Sequence, residues 1–188
     1  PPGYKKDTEK KYPVLYMHDG QNIFDAATSF LGIEWNADET AEKLIKLNKI
    51  KKIIIVGIYN NSGRVYEYTH AADAKEGAGG GGDKYIDFIT GELKPFIDKK
   101  YRTLGDRANT AILGSSLGGL ISLYAIFKYP EVFGMAGVVS PALFWSDKSI
   151  FEIVEKSRGI SGKIWIDMGT EEGGKGEGRV DSFSDSVI

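Results

Sequence analysis

Apolar runs punctuate the chain at intervals, and most of the segments between them carry apolar residues at helical spacing. Tyr12-Pro13-Val14-Leu15-Tyr16-Met17 is short and apolar throughout, the pattern of a strand buried on both faces of a sheet. Ile53-Ile54-Ile55-Val56-Gly57-Ile58-Tyr59 is the strongest strand signal, because β-branched side chains favour extended backbone. Ala111-Ile112-Leu113, Phe133 to Ser140 around Ala136, Val138 and Val139, and Lys163-Ile164-Trp165-Ile166-Asp167-Met168 complete the series. Between them, Glu39 to Leu47 places Ala41, Leu44, Ile45 and Leu47 at helical spacing, with Asn36 or Asp38 available as a cap. Lys84 to Lys100 aligns Tyr85, Ile86, Ile89, Leu93, Phe96 and Ile97 on one helical face. Pro95 lies inside it, and its ring meets the carbonyl of Gly91, so a kink near Gly91 is expected. Leu120 to Phe127 and Ser149 to Glu155 are the remaining helices.

Strand and helix alternate, and the strands are of the buried type. That order predicts an α/β fold with a mostly parallel sheet and helices on both faces. Chemistry in such sheets gathers at the carboxyl ends of the strands. Polar turns fall there at His18 to Asn22, Gly114 to Gly118 and Gly169 to Gly173, and these should converge. Pro1-Pro2-Gly3 reads as a turn and Lys5 to Lys11 as a solvated segment. Asn60 to Asp83 is polar and glycine-rich, a long loop expected to act as a flexible flap. Its Gly79 to Gly82 run lacks a following Gly-Lys-Ser/Thr, and Asp83 would put an anion where a phosphate should sit.

The length, 188 residues, suits a single domain over 1–188 with a substantial core. Lys plus Arg number 24 against 26 Asp plus Glu, so no excess of positive charge points to nucleic acid or an anionic membrane. No apolar run reaches the length of a membrane span, and the first residues have no signal-peptide core. With no cysteine there is neither a disulfide nor a thiolate metal site, and no motif calls for a metal or cofactor. Compartment and oligomeric state are left open by the sequence.

The segment that carries chemistry is Gly114-Ser115-Ser116-Leu117-Gly118-Gly119, between an apolar strand and an apolar helix. This is the G-x-S-x-G pattern of a nucleophile elbow. Ser116 sits at the apex of a strained turn, its Oγ lifted from the sheet, with backbone N–H groups at a helix N-terminus aimed at developing negative charge. A serine hydroxyl needs a base, usually histidine, itself oriented by a carboxylate. Glu171 and Glu172, past a strand two units after the elbow, occupy the place of the acid. The base is missing from that order. His18 and His70 are the two histidines and both precede Ser116. His18, at a strand end, reads as a satisfied structural imidazole, and His70 as a solvated loop residue or a stand-in base.

These residues resemble the esterase D-like family of α/β-hydrolases, which includes feruloyl, acetyl xylan and enterochelin esterases. The matching stretches are Pro1 to Tyr4, Tyr12 to Asp25 through His18-Asp19-Gly20-Gln21-Asn22, Tyr85 to Tyr101, Gly114 to Gly119, Ser140-Pro141 and Gly169 to Glu172. The resemblance implies an α/β-hydrolase core with Ser116 as nucleophile and the Leu117 and Gln21 N–H groups as oxyanion donors. Its acid position fits Glu172 better than Glu171, with the choice between the two left open. Trp35, Phe144 and Trp145 are candidates for an acyl or sugar platform, with core packing as the other reading. The family pattern adds strands before Pro1 and a histidine-bearing loop after the acid, and Phe183, Val187 and Ile188 read as the start of a helix. The expectation is therefore a domain incomplete at both termini, with its edge strands missing. Its chemistry would be hydrolysis of a small-molecule or carbohydrate ester. A catalytically silent binding protein on the same fold and an acyltransferase are the alternatives.

Overall fold

The computed structural model describes residues 1–157 and 161–169. The expected strands form, within one or two residues of their sequence limits. β1 (Val14–His18), β2 (Ile54–Ile58), β5 (Thr110–Ser115), β6 (Met135–Val139) and β7 (Lys163–Asp167) make one sheet in the order β2-β1-β5-β6-β7. Every pairing in it is parallel, with Met17 opposite Leu113 and Ser115 opposite Val139. β5, which leads into the elbow, is the middle strand. Tyr16, Ile112 and Val138 on the three inner strands are fully buried, whereas Trp165 on the outer strand β7 is largely exposed.

The helices are α1 (Ala37–Lys46), α2 (Arg64–Glu67), α3 (Gly82–Phe88), α4 (Lys94–Lys100), α5 (Leu117–Lys128), the short α6 (Trp145–Lys148) and α7 (Ile150–Lys156). α5 has no polar face, and all of Leu117 to Ile126 is buried where the helix packs along β5 and β6. It is the element that holds the elbow in place. α3 and α4 run on through a π-helical turn at Ile89–Leu93. The expected kink therefore takes the form of a widened turn that includes Gly91, which frees the carbonyl that Pro95 would otherwise strike. Asn36 stands at the N-cap of α1, but its amide donates back to the Glu34 carbonyl instead of capping the helix.

The long polar segment differs from its expectation, because it is folded. It contains α2 and a hairpin of β3 (Ala72–Asp73) and β4 (Ala78–Gly79). Thr69 Oγ1 accepts the Gly80 N–H at 3.0 Å, and the Tyr66 and Thr69 carbonyls accept the Gly81 and Gly82 N–H groups. The glycines are there for close approach: a Cβ on Gly79 would lie 2.7 Å from the Trp145 ring, and one on Gly81 2.3 Å from the Tyr66 ring. Among the described residues, no helix is long and apolar enough to cross a membrane.

Candidate active site

Ser116 is the N-cap of α5 with φ 57° and ψ −121°, a conformation that only a tightly enforced turn imposes on a non-glycine residue. Its side chain is exposed at the carboxyl end of β5. The backbone around it is fixed on both sides. Ser116 N–H donates to the Val139 carbonyl at 3.0 Å, and its own carbonyl accepts the Leu120 N–H at 3.0 Å and the Ala142 N–H at 3.1 Å. A Cβ on Gly114 would come within 2.6 Å of the Gly118 backbone, so that residue must be glycine. The second tight position is Gly119, whose added Cβ would meet the Val139 carbonyl oxygen at 2.8 Å, whereas at Gly118 the nearest atoms are 3.4 Å away.

Those nearest atoms are His18 Cβ and Asp19 Oδ2, which places the His18 to Asn22 turn directly beside the elbow. Two of the three expected turns thus meet. The third begins after β7, and its residues from 170 onward, Glu171 and Glu172 among them, lie outside the described residues. Gln21 belongs to a single 3-10 turn, Gly20–Asn22, pressed so closely on β2 that a Cβ on Gly20 would lie 2.6 Å from the Gly57 carbonyl carbon. Leu117 is the first residue of α5 and is buried, so its N–H belongs to the unpaired first turn of a helix.

Asp19, in the left-handed conformation (φ 56°), is the keystone of the turn. Arg64 Nε donates to its Oδ1 at 2.7 Å and Arg64 Nη2 to its Oδ2 at 2.8 Å, while Asn60 Nδ2 donates to Oδ1 at 2.5 Å. Its N–H donates to the Tyr68 hydroxyl at 3.1 Å. Burial works against the charged carboxylate, but the hydrogen bonds from Arg64 and Asn60, with the charge of Arg64, outweigh it and hold Asp19 below its ordinary range. Asn60 also donates its N–H to Gln21 Oε1 at 3.2 Å. The loop after β2 therefore grips the turn at Asp19 and at Gln21. Sequence reasoning missed Arg64, Asn60 and Tyr68, which carry no motif.

Neither histidine is hydrogen-bonded to Ser116 among the described residues. His18 is buried against Tyr68 and Tyr85, its Nδ1 2.8 Å from the Tyr85 hydroxyl. Its Nε2 is buried with no hydrogen-bond partner among the described residues, so the expectation of a satisfied imidazole holds for one nitrogen only. Burial pushes its pKa down to about 3. His70 is half-buried rather than solvated, and its Nδ1 has no hydrogen-bond partner among the described residues. Its Nε2 lies 2.8 Å from Ser149 Oγ, its ring stacks on Tyr124, and burial lowers its pKa to about 4.

Of the aromatic candidates, Trp35 and Phe144 are 43% and 53% exposed, but Trp145 only 6%. Trp145 Nε1–H donates to the Ala71 carbonyl at 2.8 Å and its ring covers Gly79, so it fastens the hairpin to the body of the domain. A cavity of about 640 Å³ lies along edge strand β2, lined by Pro2, Phe24, Ile45, Ile54 and Tyr101. It includes neither Ser116 nor Gln21 and has no part in this site.

Residues 1–184 match the family model described as "Putative esterase". The chain belongs to this esterase family. Among curated relatives, the iron(III) salmochelin esterase of Escherichia coli O6:H1 is 38% identical over 142 residues, covering 74% of this chain and 31% of its own. The uncharacterized protein YbbA of Bacillus subtilis is 27% identical over 178 residues, covering 92% of this chain and 66% of its own. An IroE-like serine hydrolase from Shewanella oneidensis superposes with a TM-score of 0.69 at 26% identity, over 88% of this chain and 53% of that one. The fold is thus that of the α/β-hydrolase-type esterases. The chain spans 66% of YbbA, 31% of the salmochelin esterase and 53% of the Shewanella hydrolase.

Proposed function

We propose that the protein hydrolyses carboxylic esters through an acyl-enzyme formed on Ser116. The observation that carries the reading is the strained, exposed Ser116 at the head of a helix buried from Leu117 to Ile126, beside the braced Asp19-Gly20-Gln21 turn. Ser116 Oγ attacks the ester carbonyl as its proton passes to a base, and the carbonyl oxygen becomes an oxyanion held by the Leu117 and Gln21 N–H groups. Each such donor is worth about 3 kcal/mol of barrier. The alcohol leaves with the proton, and water then repeats the attack on the acyl carbon and releases Ser116.

His18 Nδ1 faces Tyr85 and His70 Nε2 faces Ser149, so the reading assigns neither as the base, and it takes Glu172 as the acid that orients the base. Trp35 and Phe144, both exposed, form the platform for the acyl or alcohol part. The names of relatives that act on siderophores and feruloyl esters support a small-molecule ester as substrate. That neither imidazole is hydrogen-bonded to Ser116 among the described residues favours a second reading for residues 1–188 alone: a fold that binds esters but turns them over slowly, since loss of the base costs several powers of ten.

The test is p-nitrophenyl acetate hydrolysis by residues 1–188 and by the longest product of the same gene. Turnover by the longer product that disappears in Ser116→Ala supports the esterase reading. A longer product that is inert, or unaffected by Ser116→Ala, overturns it.

A further inference from the structure

The loop between Ile23 and α1 leaves the Gly20–Asn22 turn and returns to it. The Asn22 carbonyl accepts the Trp35 N–H at 2.9 Å, and Asn22 Oδ1 accepts the Phe30 N–H at 2.8 Å. The Gln21 carbonyl accepts the Thr28 hydroxyl at 2.6 Å and the Ser29 hydroxyl at 3.3 Å, and the Ile23 carbonyl accepts the Ala37 N–H at 3.1 Å. The root of the loop is thus built onto the residues that form the oxyanion turn.

Its tip is different in character. Phe30, Leu31 and Ile33 are 75%, 79% and 72% exposed. Leu31 has φ 58° and ψ 16°, the left-handed region that a leucine rarely adopts. Backbone strain and a row of large apolar side chains in water both oppose this arrangement, and no packing among the described residues accounts for it. From residue 22 to residue 42 the charged side chains are Asp25, Glu34, Asp38, Glu39 and Glu42, with no Lys or Arg. An anionic ligand or an anionic lipid surface is therefore repelled, and an uncharged apolar group is not.

We propose that Phe30, Leu31 and Ile33 form the subsite for an uncharged apolar acyl chain of the ester substrate. This rests on the esterase reading above. Because Gln21 and Asn22 anchor the loop, a group seated on the tip steadies the turn that carries the second oxyanion donor. Apolar substrates therefore gain in kcat as well as in KM.

The experiment compares p-nitrophenyl acetate with p-nitrophenyl hexanoate on the wild-type protein and on the double variant Phe30→Ser/Leu31→Ser, whose two side chains are exposed, with a cooperative urea melt confirming that the variant folds. The expected result is a fall in kcat/KM of about tenfold or more for the hexanoate, with acetate changed less than twofold. Equal effects on the two esters overturn the proposal. Calorimetric titration of p-nitrophenyl hexanoate into the Ser116→Ala protein, with and without the two serines, reads binding without turnover. Affinity about tenfold weaker in the triple variant supports the subsite, and unchanged affinity overturns it. If no protein hydrolyses acetate, the esterase reading fails while this titration still decides the subsite. Neutral phosphatidylcholine vesicles that bind wild type but not the double variant, with ester affinity unchanged, identify a lipid surface as the occupant instead.

Discussion

Arg64 holds both carboxylate oxygens of Asp19, at 2.7 Å and 2.8 Å, and so joins the loop after β2 to the turn beside Ser116. Both side chains are largely shielded from water, so removing the guanidinium leaves Asp19 charged and under-solvated. Arg64→Ala is expected to lower stability by about 2 kcal/mol, after allowance for partial exposure, and to reduce kcat more than it raises KM. Arg64→Lys should recover part of the stability but less of kcat, because an ammonium cannot make the two-pronged contact. Urea melts and steady-state kinetics on the three proteins check this. A rise in KM alone would show that Arg64 binds substrate instead of bracing the turn.

The same pair sets an acid limit. Asp19 is held below its ordinary carboxylate range, so its contribution to stability is complete above about pH 4 and is lost as pH falls below that value. Asp19→Asn should be less stable than wild type at pH 7, and the gap should close in acid. Denaturation midpoints at pH 7, 5 and 3 measure it.

The histidines act at higher pH and in the other sense. Burial keeps His18 neutral down to about 3 and His70 down to about 4, whereas in the unfolded chain both take up a proton near pH 6.5. As pH falls from about 6.5 toward 4, the unfolded state is favoured by about 1.4 kcal/mol per pH unit for each imidazole. His70→Gln should therefore roughly halve the slope of stability against pH over this range. An unchanged slope would mean that His70 is protonated in the folded protein.

Much of the fold could be read from the sequence because it rests on local pattern. β-branched runs mark β2, an unbroken apolar stretch marks the buried α5, and the elbow is contiguous. What escaped depends on partners far apart in the chain: Tyr85 is 67 residues from His18, and Arg64 is 45 from Asp19. The β3–β4 hairpin is too short to show a period. Trp145 looks like a platform residue until the hairpin that buries it is known, since nothing local distinguishes it from the exposed Phe144 beside it.

The packing of the elbow predicts an order among its glycines. Gly114→Ala and Gly119→Ala each force a methyl group to within 2.8 Å of backbone atoms and should cost about 3 kcal/mol or prevent folding, whereas Gly118→Ala meets nothing closer than 3.4 Å. Thermal melts of the three variants test that ranking, and equal losses would contradict it.

The most direct measurement is fluorophosphonate labelling of the longest gene product, read by intact mass and peptide mapping. A single adduct on Ser116 that is absent from Ser116→Ala is the result predicted for an esterase nucleophile. An adduct on another serine, or none on a folded protein that contains a third histidine, would contradict it.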